Sequence, residues 1–194
     1  LVAPPRQPVL LAKELATIDV LSGGRFLPAF GLGVDLPTEL AALGVARGER
    51  AARLEEAMTI VRLLWSGEPV TYEGRFARLE DVRLTPLPLR RKLEIWLGGA
   101  SAPALRRVGR CADGWLASFI SPPGFGRGVA AIRAAAAEAG RSIDEDHYGT
   151  IVFAAHTPGD LPPLAQLGAS QSPDLARDDH VAVGVAALEP LLRR

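Results

Sequence analysis

The chain has 194 residues, of which 48% are hydrophobic and 23% are charged, so it is large and apolar enough to bury a core. Lysine plus arginine equal aspartate plus glutamate at 22 each, and this balance gives no electrostatic reason to expect nucleic acid or an anionic membrane as a partner. The single cysteine excludes an internal disulfide and favours a reducing, cytoplasmic location, and no apolar run approaches the roughly 20 residues of a membrane span.

The first half of the chain alternates helical and strand-like segments. Gly23 and Gly24 end the first helix as a C-terminal cap. Pro28 lacks the backbone donor that a central strand needs, so we expect a bulge or local irregularity there. The predicted elements are, in chain order, a helix over 8–22, a buried strand over 25–33, a loop with a short helical turn over 34–47, a helix over 48–66 and a hairpin over 70–84.

The second half continues the alternation. Its predicted elements are a strand over 94–99, a helix over 102–112, a strand over 114–119, a loop over 121–126, an alanine-rich helix over 127–140, a strand over 148–156, a loop over 157–180 and a helix from about 184. Strands that alternate with helices imply βαβ units and a parallel sheet. A (β/α)8 barrel and an open doubly wound sheet both fit, and about four barrel-type strands are too few to close a barrel.

The segment EIWLGGASAPAL, at 94–105, places two glycines and a serine between a predicted strand and a predicted helix. Ligands of α/β proteins bind where strands end and helices begin, and the N–H groups at a helix start favour an anion. Gly98, Gly99, Ala100 and Ser101 therefore form a candidate phosphate cradle. The alternative is a tight turn in which Ser101 only caps the helix.

A second glycine motif, AFGLGVD, carries Gly31 and Gly33 at the end of a predicted strand. The two glycines could admit a flat ring or a sugar, and the alternative is a requirement of packing or of the turn. The motif is not a dinucleotide fingerprint, because Leu36 stands where the third glycine belongs and no helix begins directly there.

Metal binding and nucleophilic catalysis find little support in the sequence. The three histidines, His147, His156 and His180, show no metal-ligand spacing, so no metal site is predicted. The one cysteine and the scattered histidines form no nucleophile motif. Asp113 is expected to end a helix, with contact to a ligand as the alternative.

Four segments in this order resemble the luciferase-like monooxygenase superfamily, and particularly its deazaflavin (coenzyme F420)-dependent oxidoreductases. They are PVLLAKELATIDVLSGGRF (8–26), GLG (31–33), ERAARLEEAMTIVRLLWSGEPVTYEGRFARLEDVRLTPLP (49–88) and IWLGGASAPALRRVGRCADGW (95–115). Each motif alone is modest, but the four in sequence are specific.

The resemblance implies the fold class: α/β, a (β/α)8 TIM barrel of the bacterial-luciferase type. Residues 1–194 are then expected to be a single domain and a fragment of that barrel, incomplete because it lacks the first strands and the last strand. The segments that resemble the family's strands four to seven and its last long helix are 25–33, 94–99, 114–119, 148–155 and 180–194.

The resemblance also implies where a cofactor binds. Residues Gly98, Gly99, Ala100 and Ser101 match the backbone donors that hold the cofactor phosphate in the family, and the pocket-lining glycines are matched by Gly31 and Gly33. The family residues that face the ring come from strands that this sequence does not contain. The catalytic acid or base is therefore unknown.

The expected function is an F420-dependent oxidoreductase that transfers a hydride between the deazaflavin and a small organic substrate. One alternative is an FMN-dependent luciferase-like monooxygenase that uses reduced flavin and O2, with the same phosphate site. Another is a catalytically inactive truncated barrel, or an assembly partner of another chain. A small-molecule substrate is the expected partner, with a homodimer as one possible assembly and neither nucleic acid nor a membrane.

Overall fold

A computed structural model describes residues 1–90, 92–151, 153–155 and 181–183 of the chain. The chain divides into two compact units, Leu1–Trp96 and Leu97–Arg194. In the described residues, no helix combines the length and the apolar character that crossing a membrane requires.

The first unit is built from helices around a small apolar core. Its elements are α1 (Pro8–Leu21), β1 (Ala29–Phe30), α2 (Pro37–Ala42), a single 3-10 turn (Arg47–Glu49), α3 (Arg50–Leu64), β2 (Val70–Glu73) and β3 (Arg78–Val82). The Gln7 side chain accepts from the Leu10 amide at 2.7 Å, which caps α1 ahead of Pro8 in the first turn. The α1 and α3 helices are joined where the Trp65 indole N–H donates to the Ala12 carbonyl at 3.0 Å. The predicted helices and the hairpin of this half are confirmed.

The strand predicted over 25–33 is reduced to the two residues of β1. Pro28 lies immediately before it and offers only a carbonyl, which accepts from the Trp96 amide at 3.0 Å, so the expected irregularity falls at Pro28. The chain start runs parallel to β1: the Gly31 amide donates to the Leu1 carbonyl at 2.9 Å, and Val2 and Gly31 form a parallel bridge.

In the second unit, helices separate the first three strands. Its elements are β4 (Trp96–Gly98, which begins at the last residue of the first unit), α4 (Ala102–Cys111), β5 (Gly114–Ala117), α5 (Pro122–Glu138), β6 (Tyr148–Thr150), β7 (Phe153–Ala155) and β8 (Val181–Val183). Within this unit the strand order is β4-β5-β6, and β5 pairs with β6 in parallel, with Trp115 opposite Tyr148. The predicted α/β class with a parallel sheet is confirmed.

Three predictions for this half are wrong in detail. Residues 121–126 are the start of α5 and not a loop, because Ser121 accepts from the Gly124 amide at 3.3 Å and the two prolines that follow occupy the first helical positions. The strand predicted over 148–156 is two strands: β5 ends at Ala117, before Phe119 with its φ of +54°, and its pairing with β6 ends there too.

The remaining correction concerns the end of the chain. The helix expected over 180–194 does not include Val181–Val183, which form β8 and pair in parallel with β7. Two β-branched valines around a small alanine suit an extended backbone. The loop predicted over 157–180 and the rest of the last helix lie outside the described residues.

The α4 and α5 helices approach each other closely at Gly109. A Cβ placed on Gly109 would lie 2.6 Å from the Ile132 carbonyl oxygen and 2.7 Å from the Ala135 Cβ. Backbone atoms cannot move aside as a flexible side chain can, so this contact requires glycine.

We predict that Gly109→Ala lowers the free energy of unfolding by about 1–3 kcal/mol, because the added methyl forces the two helices apart. The matched control is Gly126→Ala in α5, where an added Cβ meets nothing within 4 Å. That substitution should raise stability by about 0.5–1 kcal/mol through helix propensity. Urea unfolding of the two variants checks both signs, and equal effects would contradict the close approach of α4 and α5.

Candidate functional site

The turn between β4 and α4 combines a glycine of positive φ with the N-cap of a helix. Gly98 ends β4, Gly99 adopts a φ of +104°, and Gly99, Ala100 and Ser101 are exposed. Such a φ strongly favours glycine. An added Cβ on Gly99 would also lie only 2.9 Å from the Ala104 Cβ, so the turn packs directly onto the first turn of α4.

Ser101 is the N-cap of α4. Its hydroxyl oxygen accepts from the Ala104 amide at 3.4 Å, and its carbonyl accepts from the Leu105 amide at 2.9 Å. Pro103, in the first turn, has no N–H. Because the oxygen is the acceptor in this cap, the hydroxyl proton remains able to donate to a ligand.

The turn offers a short run of backbone donors. Within the described part of the chain, no hydrogen bond takes up the amides of Ala100, Ser101 or Ala102. All three residues are exposed, and they stand at the positive end of the α4 dipole. No acidic side chain occurs between Gly98 and Leu105, so the cluster presents donors to an anion without a competing carboxylate of its own.

The buried side of the turn is held by Trp115, to which the sequence analysis assigned no role. Its indole Nε1–H donates to the Gly99 carbonyl at 2.9 Å. The ring is fully buried and stacks on Phe125, with 5.1 Å between the ring centroids. The sequence shows a tryptophan at the start of a strand, and only the folded chain shows which carbonyl its N–H meets.

Asp113 has a structural partner. Its carboxylate is buried, 3.7 Å from the Arg141 guanidinium, which also donates to the carbonyls of Gly109 at 2.9 Å and Ala112 at 2.8 Å. Arg141 thus binds the carbonyl end of α4, where a cation is favoured by the helix dipole. This agrees with the expectation that Asp113 ends a helix, and it anchors the chain directly before β5 begins at Gly114.

Gly31 and Gly33 belong to the first unit and meet the chain start there. The Gly31 carbonyl accepts from the Ala3 amide at 3.4 Å, and a Cβ added to Gly33 would lie 2.9 Å from the Val2 side chain. Gly33 also has a φ of +79°. Packing and the positive φ therefore account for glycine at 33, whereas a Cβ added to Gly31 would meet only the Gly33 nitrogen, at 4.0 Å. The role of both glycines in lining a cofactor pocket stays a prediction.

The histidine that the structure describes is paired locally. His147 lies 2.7 Å from the Asp146 carboxylate, and this hydrogen bond lowers the pKa of Asp146 below its usual value. His156 and His180 lie outside the described residues. Among the residues that are described, no cluster of three histidine, cysteine or acidic side chains could hold a metal ion.

The chain matches a known family over most of its length. The family model described as luciferase-like monooxygenase matches residues 1–160. A phthiodiolone/phenolphthiodiolone dimycocerosates ketoreductase of Mycobacterium tuberculosis is 34% identical over 140 residues, which cover 70% of this chain and 36% of the ketoreductase. The chain spans about half the length, or less, of the curated relatives it matches.

Solved structures share the fold. The monooxygenase RslO1 from Streptomyces bottropensis aligns with a TM-score of 0.70 and 26% identity, covering 88% of this chain and 52% of that protein. An F420-dependent secondary alcohol dehydrogenase aligns with a TM-score of 0.67 and 22% identity, covering 77% of this chain and 46% of that protein. The FMN-bound oxygenating constituent of 3,6-diketocamphane monooxygenase from Pseudomonas putida aligns with a TM-score of 0.68 and 20% identity, covering 80% of this chain and 47% of that protein. The chain thus resembles both F420-dependent and FMN-dependent enzymes.

We predict that Gly99→Ala destabilises the second unit by about 2–4 kcal/mol, since a positive φ and a methyl–methyl clash act together. Gly140→Ala is the matched control, because Gly140 has a φ of +66° but an added Cβ there meets nothing within 4 Å. It should cost only about 1–2 kcal/mol. Thermal unfolding of both variants measures the difference. Measured against Ala104→Gly alone, the double variant Gly99→Ala/Ala104→Gly should recover the clash component. An absence of recovery would show that the turn does not pack on Ala104.

Proposed function

The chain belongs to the luciferase-like monooxygenase family, and on that premise we propose that its β4–α4 turn binds the phosphate of coenzyme F420. The protein is then an oxidoreductase that transfers a hydride between F420 and a small organic substrate. The observation that carries the proposal is the run of exposed, unengaged amides at Ala100, Ser101 and Ala102.

The residues of the turn fit a phosphate group. The backbone N–H donors and the Ser101 hydroxyl can together hydrogen-bond the oxygens of one phosphate group, and the α4 dipole adds to their field. When bound, F420 supplies the hydride chemistry. The chain's contribution is to hold the cofactor by main-chain amides and the Ser101 hydroxyl, and so to orient it.

An FMN-dependent monooxygenase is the second candidate. FMN also carries a phosphate, and the FMN-bound structural neighbour has a TM-score of 0.68, close to the 0.67 of the F420-dependent neighbour. A backbone site recognises the anion and not the ring, so the same turn serves either cofactor. A chain that binds the phosphate but is catalytically inactive is the third candidate.

Titration of the 194-residue chain with F420 and with FMN, followed by cofactor fluorescence, tests the proposal. We expect saturable binding of F420 that inorganic phosphate weakens. Tighter binding of FMN would favour the monooxygenase candidate. Binding of neither cofactor would contradict the proposed function.

Ser101→Ala locates the site. The variant loses the hydroxyl donor and the cap of α4, and we expect its affinity for F420 to fall roughly 3- to 10-fold. The matched control is Gln7→Ala, which removes the side-chain cap of α1 in the first unit and should cost about 1 kcal/mol of stability without a loss of affinity. Equal affinities for the wild type and Ser101→Ala would place the phosphate elsewhere.

A further inference from the structure

We propose that Trp115 is a positioning residue that directs the amide of Ala100 outward, toward the anion. The inference rests on the proposed function, because it concerns the same turn. The Trp115 indole N–H donates to the Gly99 carbonyl at 2.9 Å. A trans peptide is planar, so the carbonyl of Gly99 and the N–H of Ala100 point in opposite directions. While the indole holds the carbonyl on the buried side, the Ala100 N–H faces the exposed side.

The indole ring is held in position by the residues packed around it. Trp115 is fully buried, and its ring lies nearly parallel to that of Phe125, with an interplanar angle of 14°. On another side, a Cβ added to Gly128 would stand 2.4 Å from the ring. Phe125 and Gly128 both belong to α5, so this helix packs against the indole from two sides.

The backbone of Trp115 is fixed as well. Its amide donates to the His147 carbonyl at 2.9 Å, and the neighbouring Asp113 pairs with Arg141. The N–H therefore reaches the Gly99 carbonyl from a position that the rest of the second unit determines. The position of the indole therefore determines the orientation of the Gly99 carbonyl.

The hydrogen bond suppresses the alternative orientation of the turn. A flip of the Gly99–Ala100 peptide would turn the carbonyl outward, turn the Ala100 donor inward and leave the buried indole N–H without an acceptor. Leaving such a buried donor unpaired disfavours the flipped state by roughly 5- to 150-fold. Glycine at 99 permits both orientations more readily than any other residue, so the choice between them is made by Trp115.

Trp115→Phe tests this role. Phenylalanine retains an aromatic ring against Phe125 but has no N–H. The matched control is Trp65→Phe, which removes an indole N–H bonded to the Ala12 carbonyl at 3.0 Å in the first unit. The first measurement is the three-bond HN–Hα coupling of Ala100 in the ligand-free, ¹⁵N-labelled chain, because this coupling reports the φ of Ala100 and a flip of the Gly99–Ala100 peptide changes that φ. The second is the affinity for F420 and for FMN.

The expected result is that Trp115→Phe changes the Ala100 coupling and lowers the affinity roughly 3- to 10-fold, while Trp65→Phe leaves both at wild-type values. An unchanged Ala100 coupling in Trp115→Phe overturns the proposal, and so does a changed coupling with unchanged affinity. If the wild type binds neither cofactor, the proposed function fails, and the coupling still decides whether Trp115 orients the turn.

A second variant separates the N–H from the packing of the ring. Benzothienyl-alanine at position 115 has the shape of tryptophan with sulfur in place of the N–H. If Trp115→Phe does not fold, the same two measurements are made on this variant. It should reproduce the change in the Ala100 coupling, and a wild-type coupling would overturn the proposal.

Discussion

The carbonyl of Gly99 faces the interior of the second unit, where the buried Trp115 indole donates to it at 2.9 Å. This bond links the two sides of the β4–α4 turn, because a planar peptide that is held by its oxygen has its N–H fixed too. The donors that an anion would meet are backbone groups with no side chain to steer them. Their direction depends on the residues on the buried side of the turn, where α5 packs against the Trp115 indole.

The sequence allowed the turn itself to be located. Two glycines and a serine between an apolar strand and a helix have a direct physical meaning: a conformation that favours glycine, then an N-cap. The structure bears out that local geometry, with a φ of +104° at Gly99 and the Ser101 cap. The alternation of strands and helices predicted the α/β class for the same reason, since apolar periodicity is a local property.

What the sequence did not reveal is long-range or context-dependent. The segment SPPGFG, at 121–126, has the composition of a loop, and prolines and glycines disfavour a helix interior. At a helix start the same prolines are acceptable, and the Ser121 cap decides the outcome. Because Phe125 fell in a predicted loop, its packing against Trp115 was not predicted. The indole's acceptor is 16 residues away in sequence, and no local pattern encodes it.

The nature of the donors also bears on which cofactor such a site can select. Main-chain amides and a helix dipole respond to charge and to the positions of oxygens, and not to the ring system that the phosphate carries. A site made of them cannot distinguish a deazaflavin from a flavin, which is consistent with similar folds among F420-dependent and FMN-dependent proteins. Discrimination has to come from side chains that meet the ring. Substitutions at Trp115 or Ser101 should accordingly lower the affinities for both cofactors by similar factors. A variant that changed the ratio of the two affinities would show that the turn recognises more than an anion.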